Sequence, residues 1–162
     1  NMRGKHGAGF ESLGDILCQI RVMTGALALG LGEAALKSSI KYSNERVQSG
    51  QTIANYQAIA HKIAEMGTRL EAARALVYQA AKDIDAGAKD VKLASMTKLF
   101  ATEVANFIAD ECTRIHGSYG FAMEYDAQRY YRDARFLLYG GGTSEVLRNV
   151  ISKAMGVPES RK

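Results

Sequence analysis

The sequence has 162 residues, 47% of them hydrophobic, with 21 Lys and Arg against 17 Asp and Glu for a formal charge of +4. A chain of this size and composition holds one domain with a buried core, and its mild basicity, without a basic stripe or recognition motif, removes nucleic acid from the expected partners. Two cysteines exclude a disulfide scaffold, and a lone proline, Pro158, leaves long stretches free of the strongest helix breaker.

Residues 1–9, including Arg3-Gly4-Lys5-His6-Gly7-Ala8-Gly9, read as a flexible lead-in. A first helix is expected from Phe10 to Val47. Leu13, Ile16, Leu17, Ile20, Met23, Thr24 and Leu27 recur at three- and four-residue steps and mark one apolar face. Gly25, Gly30 and Gly32 interrupt that pattern, each at a cost of about 1 kcal/mol relative to alanine. Since the apolar period resumes after them, they are read as points of close approach rather than as an end. Gln48-Ser49-Gly50-Gln51-Thr52 is a turn.

The second helix spans Ile53 to Asp85, with Gly87 suited to a left-handed C-terminal cap. The third starts near Asp90 and runs into Gly117-Ser118-Tyr119-Gly120. A shorter helix, Ala127 to Leu138, precedes Gly140-Gly141-Gly142, and a last one covers Thr143 to Ala154, capped by Thr143 or Ser144. Cys18 and Cys112 lie in apolar helical patterns, where a free cysteine packs as a small hydrophobe. The fold class is all-α: an up-down four-helix bundle over residues 10–157 with short extra C-terminal helices and a tail at 158–162. No unbroken apolar run of about eighteen residues is visible, so no membrane partner is expected and the expected location is the cytoplasm.

Two glycine-bearing turns carry the most information. They are Ile115-His116-Gly117-Ser118-Tyr119-Gly120-Phe121, and Tyr131-Arg132-Asp133-Ala134-Arg135 followed by Tyr139-Gly140-Gly141-Gly142-Thr143-Ser144-Glu145. A glycine run before a helix start is a weak anion-site signal taken alone. In combination with Tyr42-Ser43-Asn44-Glu45-Arg46, Gly50 and Gln57-Ala58-Ile59, these segments resemble the C-terminal domain of acyl-CoA dehydrogenases. The resemblance runs from Phe10 to Arg148.

That resemblance implies the helical domain of a three-domain flavoprotein that binds FAD, acts on an acyl-CoA or other acyl thioester, and assembles as a homo-oligomer (dimer or tetramer) or a mixed oligomer with a related subunit. An isolated C-terminal domain is expected to be inactive. By position, Arg46 corresponds to the arginine that reaches the FAD pyrophosphate of a neighbouring subunit, and Gln57 to a glutamine near the nucleotide. Arg114, Gly117 and Ser118 fall at the first glycine turn, where glutamine and a second glycine are usual in place of Arg114 and Ser118. Phenylalanine is usual where this chain has Ser49. Thr143, Ser144 and Glu145 fall at the cofactor-proximal helix start, while Arg21 and Gly142 fall at the substrate. Arg132 and Asp133 read as an ion pair fixing the second turn, and His116 as structural.

The catalytic base is the anomaly. The family places a glutamate either immediately before the glycine of Gly-Thr-Ser, which is Gly141 here, or before the arginine of the first helix, which is Ile20. Neither side chain accepts a proton, and removing an α-proton needs a group that does. Asp15 lies more than a helical turn from Ile20 and points elsewhere. One expectation is therefore an FAD-dependent dehydrogenase with its base supplied unusually; the alternatives are a non-catalytic homologue serving assembly and oxygen-using flavin chemistry, which needs no α-proton base.

Overall fold

The computed structural model describes residues 9–157; the lead-in and tail read from the sequence otherwise lie outside the described residues. Five helices carry the described residues: α1 (Gly9–Glu45), α2 (Gln57–Asp85), α3 (Val91–His116), α4 (Ala127–Leu137) and α5 (Ser144–Ala154). The first three are long and pack mutually, α4 closes against α3 and α1, and α5 lies on α3. The expected all-α bundle is thus present, with its last side built from two short helices.

Helix ends follow local chemistry. Asp90 caps α3 by accepting from the Leu93 amide at 2.9 Å, and the Thr143 hydroxyl caps α5 by accepting from the Val146 amide. Gly87, at φ 85°, takes the left-handed position after α2. Between α1 and α2 the expected turn is a two-stranded hairpin, β1 (Val47–Gln48) and β2 (Gln51–Thr52), closed by Ser49 and Gly50, both at positive φ. Two left-handed residues are what a tight two-residue hairpin loop requires. The second helix, expected from Ile53, begins at Gln57; Ile53–Asn55 form a separate 3-10 turn before Tyr56.

The inner face of α1 differs from the expected one. Leu13, Ile16, Ile20, Met23 and Leu27 are exposed, between 40% and 69%. The face turned to α2 and α3 carries Cys18, Arg21, Gly25, Ala28, Gly32, Ala35 and Ser39, also at three- and four-residue spacing. Small side chains let the helix axes approach, and the contacts show it. A Cβ at Gly25 would meet Thr97 Cγ2 at 3.1 Å and Val77 Cγ2 at 3.2 Å, and one at Gly32 would meet Leu70 Cδ1 at 3.2 Å. Gly30, grouped with them in the sequence, has nothing within 4 Å among the described residues and makes no such approach. By length and composition α1 could cross a membrane, but its inner face buries Arg21, Ser39 and Ser43 against protein.

The main core joins Ala28, Leu29 and Ala35 of α1 to Met66, Leu70 and Val77 of α2, and to Val104, Ile108 and Ile115 of α3. Each large apolar side chain buried there contributes about 1.5–3 kcal/mol. Cys112 belongs to this core, and Cys18 to a smaller one with Val22, Ala80 and Ala94. Both thiols are buried, as expected of small hydrophobes, and burial pushes their pKa values up.

Candidate active site and cofactor surface

The glycine turn between α4 and α5 is held from below by a lysine. Lys98 of α3 is fully buried, and its Nζ donates to the carbonyls of Leu138 (2.9 Å) and Gly142 (2.7 Å). The first bond satisfies a carbonyl at the end of α4, and the second fixes the far side of the turn. Burial lowers the Lys98 pKa, as does the nearby charge of Arg21, while Glu103 and Glu145 act in the opposite direction from a distance. Sequence reasoning missed this residue. Its signal was a charge on the helical face that also carries Ala94, Ala101 and Ala105, a position where lysine is rare.

Arg21 holds the turn from α1. Only 6% exposed, it donates from Nε to the Gly141 carbonyl (3.2 Å) and from Nη1 to Ser95 Oγ (3.1 Å). Ser95, in turn, donates to Val91 O at 2.6 Å. Burial lowers the Arg21 pKa. The two expected base positions face each other here. Gly141 sits at φ 73°, and a Cβ built on it would lie 3.6 Å from Ile20 Cγ2, 3.8 Å from Arg21 Cγ and 4.0 Å from Thr24 Oγ1. Two alternative base positions that converge on one point would serve the same carbon atom, and in this chain neither carries an acid.

Asp15 and Glu145 are committed elsewhere. Asp15 pairs with Lys89 on the surface. Glu145, at the start of α5, is exposed, and its own backbone N–H and the Thr143 hydroxyl hold its carboxyl below the usual carboxylate range. That makes it a weak base. Thr143 is the cap of α5, and Ser144 is buried at 9% exposure. Arg132 and Asp133 do not form the expected ion pair among the described residues: both are exposed, and neighbours in a helix point apart. Lys98 and Arg21 fix the turn instead.

A second locus lies at the far end of α3. Gly117, at φ 60°, starts a 3-10 turn over Gly117–Gly120. Gly120 packs so closely that a Cβ would stand 2.4 Å from the Thr113 carbonyl oxygen. An open cleft of about 780 Å³ beside the turn is lined by Arg114, Gly117, Gly120, Phe121 and Arg132, among others. Phe121 is 89% exposed. Arg114 pairs with Asp110 at 2.7 Å and remains exposed, as do Ser118 and Gln57. Across the turn, the exposed Arg46 guanidinium lies 5.5 Å from the centre of the Tyr119 ring. Behind it His116 is buried and stacked on Tyr42 at 4.3 Å, with Nδ1 on the Cys112 carbonyl and Nε2 beside Ser38 Oγ. Both nitrogens are occupied, which agrees with a structural role.

The chain matches a family model described as acyl-CoA dehydrogenase, C-terminal domain, over residues 7–156. The chain belongs to the acyl-CoA dehydrogenase family. It is similar to benzylmalonyl-CoA dehydrogenase of Aromatoleum aromaticum, at 50% identity over 92% of this chain and 40% of that protein. It is also similar to a subunit of the caffeyl-CoA reductase-Etf complex of Acetobacterium woodii, at 42% identity over 94% of this chain and 40% of that protein. Butyryl-CoA dehydrogenase from Megasphaera elsdenii has the same fold, with a TM-score of 0.93 and 38% identity over 96% of this chain and 40% of that one. The chain thus spans about 40% of the length of these acyl-CoA dehydrogenase relatives.

Proposed function

We propose that the complete protein is an FAD-dependent oxidoreductase that forms an α,β-double bond in an acyl thioester such as an acyl-CoA, and that these residues are its C-terminal helical domain. The observation that carries this reading is the convergence of Gly141, Ile20 and Arg21 at one point on the glycine turn. Family membership supplies the reaction class.

The residues present fit FAD. Arg46 and Arg114 offer guanidinium donors to phosphate oxygens, Gly117 and Ser118 offer an exposed turn backbone, and Phe121 offers an apolar wall to a ring system. Gln57 lies at the start of α2, and Thr143, Ser144 and Glu145 form the start of α5 beside the substrate turn, where Gly142 would lie against the thioester. When bound, the flavin supplies a hydride acceptor for the β-carbon. This chain's own residues fix the turn through Arg21 and Lys98.

The domains missing from this chain hold the remainder of such a site, so these residues alone are inactive. The complete protein works in the cytoplasm as a homo-oligomer, a dimer or tetramer, or in a mixed oligomer; a relative named as a subunit of an Etf complex supports the second arrangement. Flavin absorbance of the complete protein tests the reading. Bound flavin that bleaches with an acyl thioester is expected, and protein purified without flavin would refute it. A second reading, a non-catalytic assembly subunit, draws support from the two non-acidic base positions and requires flavin that no acyl thioester bleaches.

A further inference from the structure

What the turn lacks in acid it has in positive charge. Arg21 and Lys98 are both buried, and among the described residues neither forms an ion pair: their hydrogen-bond acceptors are the carbonyls of Gly141, Leu138 and Gly142 and the Ser95 hydroxyl. Buried charges are normally paired, because leaving them alone costs several kcal/mol per ion. A glutamate at position 141 would have supplied the counter-charge, since a Cβ there lies 3.8 Å from Arg21 Cγ. Glycine leaves both the space and the cation.

We infer that the substrate brings the missing anion: a thioester bearing a second carboxylate on its α-carbon, drawn to Arg21 and expelled as carbon dioxide in place of an α-proton. The inference rests on the proposed oxidation of acyl thioesters. The bond between the α-carbon and the carboxylate carbon breaks, and its electron pair stays on the α-carbon as the thioester enolate that deprotonation would have produced. Carbon dioxide leaves. A hydride then leaves the β-carbon for the flavin, and the α,β-double bond forms. In sum, the carboxylated thioester, oxidised flavin and one proton give the enoyl thioester, carbon dioxide and reduced flavin. No protein base enters this balance, so Gly141 and Ile20 are compatible with turnover.

Arg21 suits the task in a particular way. Two of its guanidinium nitrogens already donate to Gly141 and Ser95. The charge therefore attracts a carboxylate without gripping it in a two-pronged fork that would hold it back from leaving. Ile20 presents an apolar wall beside the same space. A carboxylate with little hydrogen bonding in apolar surroundings is destabilised relative to neutral carbon dioxide.

The test uses the complete flavin-loaded protein with ethylmalonyl-CoA and butyryl-CoA, which differ only in the α-carboxylate. Bleaching with ethylmalonyl-CoA, one carbon dioxide per flavin reduced, and at least hundredfold slower bleaching with butyryl-CoA are expected. Equal bleaching by butyryl-CoA, or exchange of its α-hydrogen with deuterated solvent, would overturn the inference while leaving the proposed oxidation intact. Flavin that neither thioester bleaches would overturn it too, and flavin-free protein would end both readings. Calorimetry gives an independent readout with malonyl-CoA, which has no β-hydrogen to lose. Malonyl-CoA should bind at least tenfold more tightly than acetyl-CoA, and Arg21→Gln should abolish that preference with Arg21→Lys keeping part of it. Equal binding of the two thioesters by the unaltered protein would count against the assigned role of Arg21.

Discussion

Lys98 and Gly142 are joined by a 2.7 Å hydrogen bond from an ammonium that no solvent touches. Replacing Lys98 with Met keeps the volume and removes the charge. It also leaves the Leu138 and Gly142 carbonyls without their donor, at about 1–3 kcal/mol each, partly offset by relief from burying a cation. Lys98→Met is expected to destabilise the chain by about 2 kcal/mol and to speed hydrogen exchange locally at residues 139–143. Unchanged exchange there would show that the turn holds itself.

Gly141 has room for a side chain but the wrong backbone angle for most of them. At φ 73° a non-glycine residue costs about 1–2 kcal/mol, with no close contact to add to it. Gly141→Glu is therefore expected to fold, to place a carboxylate beside Arg21, and to raise the rate of flavin bleaching by butyryl-CoA at least tenfold. Its carboxylate would also compete for Arg21, so bleaching by ethylmalonyl-CoA should fall. Stopped-flow absorbance on the flavin-loaded complete protein reads both changes.

Gly25 and Gly30 should respond in opposite directions to the same substitution. Alanine gains about 1 kcal/mol of helix propensity over glycine at either site. At Gly30 nothing among the described residues lies within 4 Å, so Gly30→Ala should raise the denaturant midpoint. At Gly25 the new methyl meets the branched side chains of Thr97 and Val77 at 3.1 and 3.2 Å. Overpacking of that kind costs about 1–3 kcal/mol, and Gly25→Ala should lower the midpoint.

His116 makes stability depend on pH. Burial lowers its folded-state pKa below the ordinary 6.5, partly offset by the bond to the Cys112 carbonyl. Below that value the unfolded chain takes up a proton that the folded one resists, so the contribution is present above pH 6.5 and lost as pH falls toward the folded pKa. Denaturant midpoints measured between pH 7.5 and 5.5 should decline, and more shallowly in His116→Gln. Parallel declines in the two proteins would remove His116 as the cause.

Helix positions were legible in the sequence because apolar residues three and four apart sit on one face whatever the partner. The same rule misread α1. Its large apolar residues, Leu13 through Leu27, have the spacing of a core face, yet Gly25, Ala28, Gly32 and Ala35 are what α3 approaches. Close helix packing selects small side chains, and hydrophobicity alone does not rank them first. At the site, the absence of acids at Gly141 and Ile20 was legible, but their mutual contact is a long-range fact that no local pattern contains. Lys98 was legible only as a charge in the wrong place, and Arg132-Asp133 looked like a pair because the eye reads neighbours in sequence as neighbours in space.

The outward row of α1 has a practical meaning for anyone preparing the protein. Leu13, Ile16, Ile20, Met23 and Leu27 form a continuous greasy strip along several turns of helix. In water, two copies of such a strip are expected to associate, so a preparation of these residues alone should elute from a sizing column earlier than a monomer. Met23 and Leu27 lie along the strip from Ile20 on the side away from Asp15. Recoding that pair to Glu and Lys would yield a tractable domain for spectroscopy without altering Gly141, Arg21 or Lys98.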